Sequence, residues 1–143
     1  MSEDSAIQSV EISTIAHATE DISKVETAMQ HLLANANRQY TRHYLTGHHG
    51  NPIIRVDTKL THHDAVEFAK DLNQRLSGID RDRLQRDLSL YSDEDGNLYI
   101  RLDKQSLFNN EIKLGDEDPI RVRMKFNRLI GDAKKLMMRY LES

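Results

Sequence analysis

Arg121, Arg123 and Lys125 recur at every second position, so an extended chain throws all three side chains to one side. Two residues of strand rise separate them by about 6.6–7 Å, close to the spacing of successive phosphates along a nucleic-acid strand. The same row also fits a solvated strand face whose charges guard against aggregation. Upstream, Arg38-Gln39-Tyr40-Thr41-Arg42-His43-Tyr44 interleaves bases with rings. In a strand Tyr40, Arg42 and Tyr44 share a face, and rings that stack on bases beside phosphate-pairing guanidiniums are the usual grip on unpaired RNA. The rival reading makes the two tyrosines core residues with their hydroxyls at the rim. Gly47-His48-His49-Gly50-Asn51-Pro52 follows, with glycines that let backbone N–H groups turn toward an anion. His48, His49 and Asn51 are therefore candidate RNA contacts, joined by Arg38 and by Arg55 and Lys59 on the next arm. Adjacent histidines rarely chelate one ion, so no metal site is expected.

Other chemistries lack their residues. The chain has no cysteine, which removes thiolate metal sites, disulfides and thiol nucleophiles and suits a reducing compartment. It contains no Walker A loop, dinucleotide fingerprint or nucleophile elbow. The acids at Asp80, Asp82 and Asp87, at Asp93-Glu94-Asp95 and at Asp116-Glu117-Asp118 read as solvated turns. Neither catalysis nor a cofactor is expected. The formal net charge is −3, but it is unevenly spread: residues 36–63 carry four bases and one acid, and residues 119–143 seven bases and two acids. A polyanion meets a local surface rather than the total, so these two basic stretches matter if they share a face.

The elements that must position these residues follow from periodicity. Gln8 to Ala18 alternates as a strand, with Val10, Ile12, Thr14 and Ala16 on its apolar side. Thr19-Glu20-Asp21 opens a helix by a capping hydroxyl and first-turn acids, and its stripe runs from Ile22 to Leu33. Strands over Arg38–Thr46 and Pro52–Leu60 flank the histidine loop. Thr61-His62-His63-Asp64 has capping-box spacing before a helix that Gly78 closes. Ile79–Arg86 reads as a short solvated helix, and Leu88–Tyr91 with Asn97–Leu102 as a hairpin around an Asp-Gly turn. A helical turn over 104–110, a strand from Ile120 to Phe126 and a last helix from Asp132 complete the chain. These elements predict one α+β domain over residues 1–143: a two-layer sandwich, a mostly antiparallel sheet of about six strands, and three main helices on one face. The polar, acidic start and the lack of a long apolar run predict a cytoplasmic protein with no membrane contact.

Four strings in order along the chain carry a family resemblance: Ser9-Val10-Glu11-Ile12 through His17-Ala18-Thr19-Glu20-Asp21; Gly47-His48-His49-Gly50-Asn51-Pro52-Ile53; Asp95 through Gln105; and Asp118-Pro119-Ile120-Arg121-Val122-Arg123. Together they resemble an archaeal family of small RNA-binding proteins described as predicted exosome subunits. The resemblance implies a fold similar to ribosomal protein L5, structured or single-stranded RNA as partner, and contact with the exosome or other RNA-processing proteins. It brings no catalytic residues. A protein-interaction module docking on an RNA-processing complex is the rival reading, and a weak homodimer is a further expected partner state. If the cations neutralise about four to five phosphates of a flexible strand, log affinity should fall against log salt with a slope near −3 to −4. A filter-binding titration insensitive to salt would count against nucleic-acid binding.

Overall fold

The computed structural model describes residues 6–34 and 40–143. Arg38 and the first residues of the predicted 38–46 strand lie outside that range. The elements run β1 (Ile7–Ala16), α1 (Ile22–Leu33), β2 (Thr41–Thr46), β3 (Pro52–Thr61), α2 (His62–Arg75), α3 (Gly78–Arg86), a 3-10 turn at Leu88–Leu90, β4 (Asn97–Leu102), α4 (Lys104–Phe108), β5 (Ile120–Phe126) and α5 (Ala133–Glu142). The strands form one antiparallel sheet in the order β2-β3-β1-β5-β4. The fold is α+β as expected, with five strands rather than six. The three main helices foreseen are the three longest, α2, α1 and α5.

The missing strand is Leu88–Tyr91. Its Leu-Ser-Leu alternation imitates a strand, yet Leu90 N–H donates to Asp87 and Tyr91 N–H to Leu88, so the backbone closes locally into a 3-10 turn. Ser92 caps it by donating to the Leu88 carbonyl at 2.7 Å. The Asp-Gly turn forms where expected: Gly96 takes φ +91, and Tyr99 N–H reaches back to Tyr91 O at 2.7 Å. Two cap assignments change, and a third keeps its residue without its bond. Asp21, not Thr19, caps α1 by accepting from Ser23 N–H. Thr61 makes no side-chain cap bond. Gly78 does not close α2 but opens α3, where Ser77 accepts from Asp80 N–H.

By its contacts the chain forms two compact units: residues up to Glu11 with Lys59–Ile100 and Val122–Ser143, and Ile12–Thr58 with Arg101–Arg121. In the first unit α2 and α5 are joined through polar groups as well as side-chain packing. Buried Asn73 donates to the carbonyls of Tyr140 and Ser143, at 3.0 and 3.2 Å, and the Tyr140 hydroxyl donates to Ala69 O at 2.6 Å. The Tyr140 ring meets Phe126 edge-on, centroids 6.0 Å apart, and burial pushes its phenol well above the ordinary range. Phe126, Leu72, Leu84 and Met137 pack the interior, and truncating a ring such as Phe126 costs about 3–5 kcal/mol. In the second unit α1 and α4 lie together: His31 Nδ1 is 2.7 Å from Leu107 O, and the Lys24 ammonium sits 5.6 Å from the centre of the Phe108 ring. Ile12, Met29, Leu32, Leu102 and Ile120 are fully buried there.

Asp93 organises the turn before β4. Its carboxylate accepts from the N–H groups of Asp95 and Asn97, the Asn97 amide and the Tyr99 hydroxyl, all between 2.7 and 3.0 Å. Burial pushes the carboxyl up, but these bonds outweigh it and hold it at about 2. A depressed folded value contributes stability that is present above the unfolded value and fades as pH falls through the folded one. Asp93→Asn should therefore be less stable than the parent at neutral pH, with the gap closing between about pH 4 and pH 2. Denaturant melts at several pH values test this; a gap independent of pH would refute the assignment.

Candidate nucleic-acid interface

β5 alternates strictly, burying Ile120, Val122, Met124 and Phe126 and exposing Arg121, Arg123 and Lys125. The three exposed cations are not equivalent. Arg123 Nη2 donates to Glu11 Oε2 at 2.5 Å, and Glu11 also stands 4.0 Å from Lys59 Nζ. The Glu11 carboxylate raises the Arg123 guanidinium further above its already high range. Among the described residues Arg121 and Lys125 have no acid partner.

The register across β4 and β5 adds a cation that the sequence reading missed. Phe126 N–H donates to Gly96 O at 2.8 Å, which sets Gly96 opposite Phe126. Counting five residues along each antiparallel strand sets Arg101 opposite Arg121. Gly115 N–H takes the Arg101 carbonyl on the outer side of β4, so the Arg101–Arg121 pair is a non-hydrogen-bonded one, in which side chains stand closest. Both arginines are exposed, and neither has an acid partner among the described residues. Like charges directly opposite each other cost about 0.2–1 kcal/mol. Period two across β4 was the available signal for Arg101; its weight appears only once β4 lies beside β5.

The β2–β3 hairpin distributes its cations differently. Arg42 forms a two-pronged ion pair with Glu26 of α1, Nε at 2.9 Å and Nη2 at 2.5 Å, and Glu26 is buried. Tyr40 faces the same helix, its hydroxyl 3.5 Å from Gln30 Nε2; burial first, then Glu26, raises its phenol. Tyr44 is 72 % exposed. Arg55 Nε donates to Asp57 at 3.0 Å, and His43, opposite Arg55 in the ladder, stands 3.2 Å from the same carboxylate. Arg42 and Arg55 thus project to opposite faces of the hairpin, and each already holds an acid.

The loop between β2 and β3 is a three-residue hairpin turn. Gly50 N–H donates to Gly47 O at 3.0 Å and Gly47 N–H to Asn51 O at 2.7 Å, with Gly50 at φ +77. A side chain at Gly47 would press within 3.1 Å of the Asn51 side chain. His48 and His49 stand out in solvent with ring centres 6.5 Å apart, and Asn51 is exposed beside them.

At the β1 end of the second unit four side chains meet that the sequence reading did not select. Lys104 Nζ donates to the Ile15 carbonyl and to Asp118 Oδ2, both at 2.8 Å, and to both Glu20 oxygens at 3.3 Å. His17 Nε2 lies 3.0 Å from Asp118 Oδ1, and His17 N–H donates to Glu20 at 3.0 Å. The Lys104 side chain is 12 % exposed, which makes these charge-assisted bonds strong. His17, Glu20 and Asp118 offer donors close enough to share a metal ion. The Lys104 ammonium already occupies the cation's role, neutralising both carboxylates. The cluster therefore works as a tie, holding the turn after β1, the start of α4 and the segment that leads into β5. β1 and β3 are antiparallel neighbours, so this tie lies at the sheet end where the Gly47–Asn51 loop leads into β3. Its members come from three of the four strings that carry the family resemblance. Separations of 84 and 101 positions hid the contacts from any local reading.

The architecture is that of a helix-bearing antiparallel sheet with an exposed, partly uncompensated cation row. The profile of a family described as RNA binding matches residues 9–126, and the chain belongs to that family. A Pyrococcus abyssi protein named as RNA-binding is 35% identical over 122 residues, which cover 81% of this chain and 79% of that one. A crystal structure of a DUF54 protein from Archaeoglobus fulgidus is 29% identical with a TM-score of 0.81, covering 94% of this chain and 99% of that one. A DUF54 protein from Methanothermobacter thermautotrophicus is 26% identical with a TM-score of 0.76, covering 95% of this chain and 98% of that one. Among the described residues no helix is long and apolar enough to cross a membrane.

Burial pushes the Asp118 carboxyl up, but the bonds from Lys104 and His17 win and hold it below its ordinary range. Their stabilising contribution is present above the ordinary carboxylate range and is lost as pH falls through the depressed value. Lys104→Met should raise the Asp118 titration measured by carboxyl-resolved NMR and destabilise the fold more at neutral than at acid pH. An unshifted Asp118 would show that Lys104 does not govern the cluster.

Proposed function

We propose that the chain binds RNA without catalysis, using Arg101 and Arg121 as its principal phosphate contact. The observation that carries this reading is the facing pair of exposed guanidiniums with no acid of their own among the described residues. Two such groups repel in the free protein, and a phosphate between them relieves the repulsion while accepting paired N–H donors. By contrast Arg42, Arg55 and Arg123 would have to give up a carboxylate to take a phosphate. Membership of an RNA-binding family supports the class of ligand. His48, His49 and Asn51, exposed on the loop, are candidates for secondary contacts to sugar or base. We extend the reading to a cytoplasmic setting and to a place beside RNA-processing machinery, the exosome included, which the family resemblance implies.

The test is a double substitution, Arg101→Gln with Arg121→Gln, assayed by RNA binding over a salt series. Affinity should drop across many RNA sequences, and the log–log slope should flatten by about 1–1.5 units, slightly less than the two contacts removed. In the absence of RNA the variant should melt at the same or a higher temperature, because a like-charge pair has been removed. Unchanged affinity and slope would exclude these two residues as the phosphate contact.

A further inference from the structure

The sheet has two edges, β2 and β4, and they are finished differently. The outer side of β4 is occupied along its length. Tyr99 N–H donates to Tyr91, Gly115 N–H to Arg101 and Asp103 N–H to Lys113, with bridges at Ser92–Leu98 and Leu102–Leu114. β2 has no such cover among the described residues. The Gly47–Asn51 bond makes that pair hydrogen-bonded, so alternation along the ladder leaves Thr46, Tyr44 and Arg42 with N–H and C=O groups aimed away from β3. None of these groups finds a partner among the described residues. The strand also shows two large apolar side chains, Tyr44 at 72 % and Leu45 at 44 % exposure.

Edge strands are ordinarily guarded by unpaired charge. Here the guard is disabled, because the cation of Arg42 is met by Glu26 and His43 lies against Asp57. We infer that β2 is the contact between two copies of this chain, which pair edge to edge in antiparallel fashion about a two-fold axis at Tyr44. In that register Tyr44 N–H and C=O bond those of the partner copy's Tyr44, and Arg42 faces the partner's Thr46. Three hydrogen-bonded residue pairs give up to about six main-chain bonds. Leu45 falls beside the partner's His43, and no cation stands directly opposite a like cation. The same segment therefore complements itself, which an isologous contact requires. A six-residue edge is short, so the dimer is weak and responds to concentration. The inference does not rest on RNA binding, since β2 holds neither Arg101 nor Arg121.

Sedimentation velocity of the full chain, without RNA, over a wide concentration range tests it. The wild type should shift toward twice the monomer mass as concentration rises. Tyr44→Lys should weaken the dimer by about tenfold or more by placing two unpaired ammonium groups at the axis. Thr46→Pro removes an outward N–H that the chain's own ladder does not use, and should also leave a folded monomer, checked by circular dichroism. A wild type that remains monomeric at the highest attainable concentration overturns the inference. So does a dimer that both substitutions leave untouched, which would place the contact elsewhere.

Discussion

A strand sends successive side chains to opposite faces, and once one face must be buried that period leaves no freedom in where the other residues go. β1 and β5, neighbours in the middle of the sheet, obey it without exception over Val10–Ala16 and Ile120–Phe126. A slip of one residue in either would bring arginine and glutamate inward and drive isoleucine and methionine out, at several kcal/mol for each charge left unpaired. This apolar constraint, rather than any attraction among the charges, is what lines up Arg121, Arg123 and Lys125. The cation row is a by-product of core formation.

Which of the surface cations stay open to solvent is decided by carboxylates. A guanidinium paired with a well-placed carboxylate has most of its hydrogen-bonding capacity filled, and a ligand phosphate must displace that partner. Glu11, Glu26 and Asp57 each engage cations that composition alone would count as available. Arg101 and Arg121 escape this by sitting opposite each other. The protein tolerates a small electrostatic cost there. Lys104 shows the opposite economy: an ammonium largely withdrawn from solvent is tolerable because two carboxylates and a carbonyl surround it.

The two edges of the sheet illustrate how local turn chemistry shapes what a surface offers. β4 is shielded because the chain turns back on it twice, at Tyr91–Ser92 and at Lys113–Gly115. β2 follows residues outside the described range and meets a tight three-residue turn, so nothing described folds back over it. Pairing Arg42 with Glu26 ties the hairpin to α1 and, by the same act, masks the cation that would keep another strand away.

Strand and helix identity was legible in the sequence wherever periodicity ran for six residues or more, as in β1, β3, β5, α1, α2 and α5, because burial of one face acts on every residue of the element. It failed at Leu88–Leu90, where three residues cannot distinguish alternation from a 3-10 turn, and at two caps, where Asp21 rather than Thr19 accepts the first helical N–H and Gly78 begins α3 instead of closing α2. The candidate cations were also readable, as residue types on an exposed period. Which of them remain free was not, because ion pairing joins residues such as Arg123 and Glu11, or Lys104 and Glu20, that lie 112 and 84 positions apart. Charge and pattern are properties of the chain, but competition for a carboxylate is settled by distance in space, and only the assembled sheet supplies that distance.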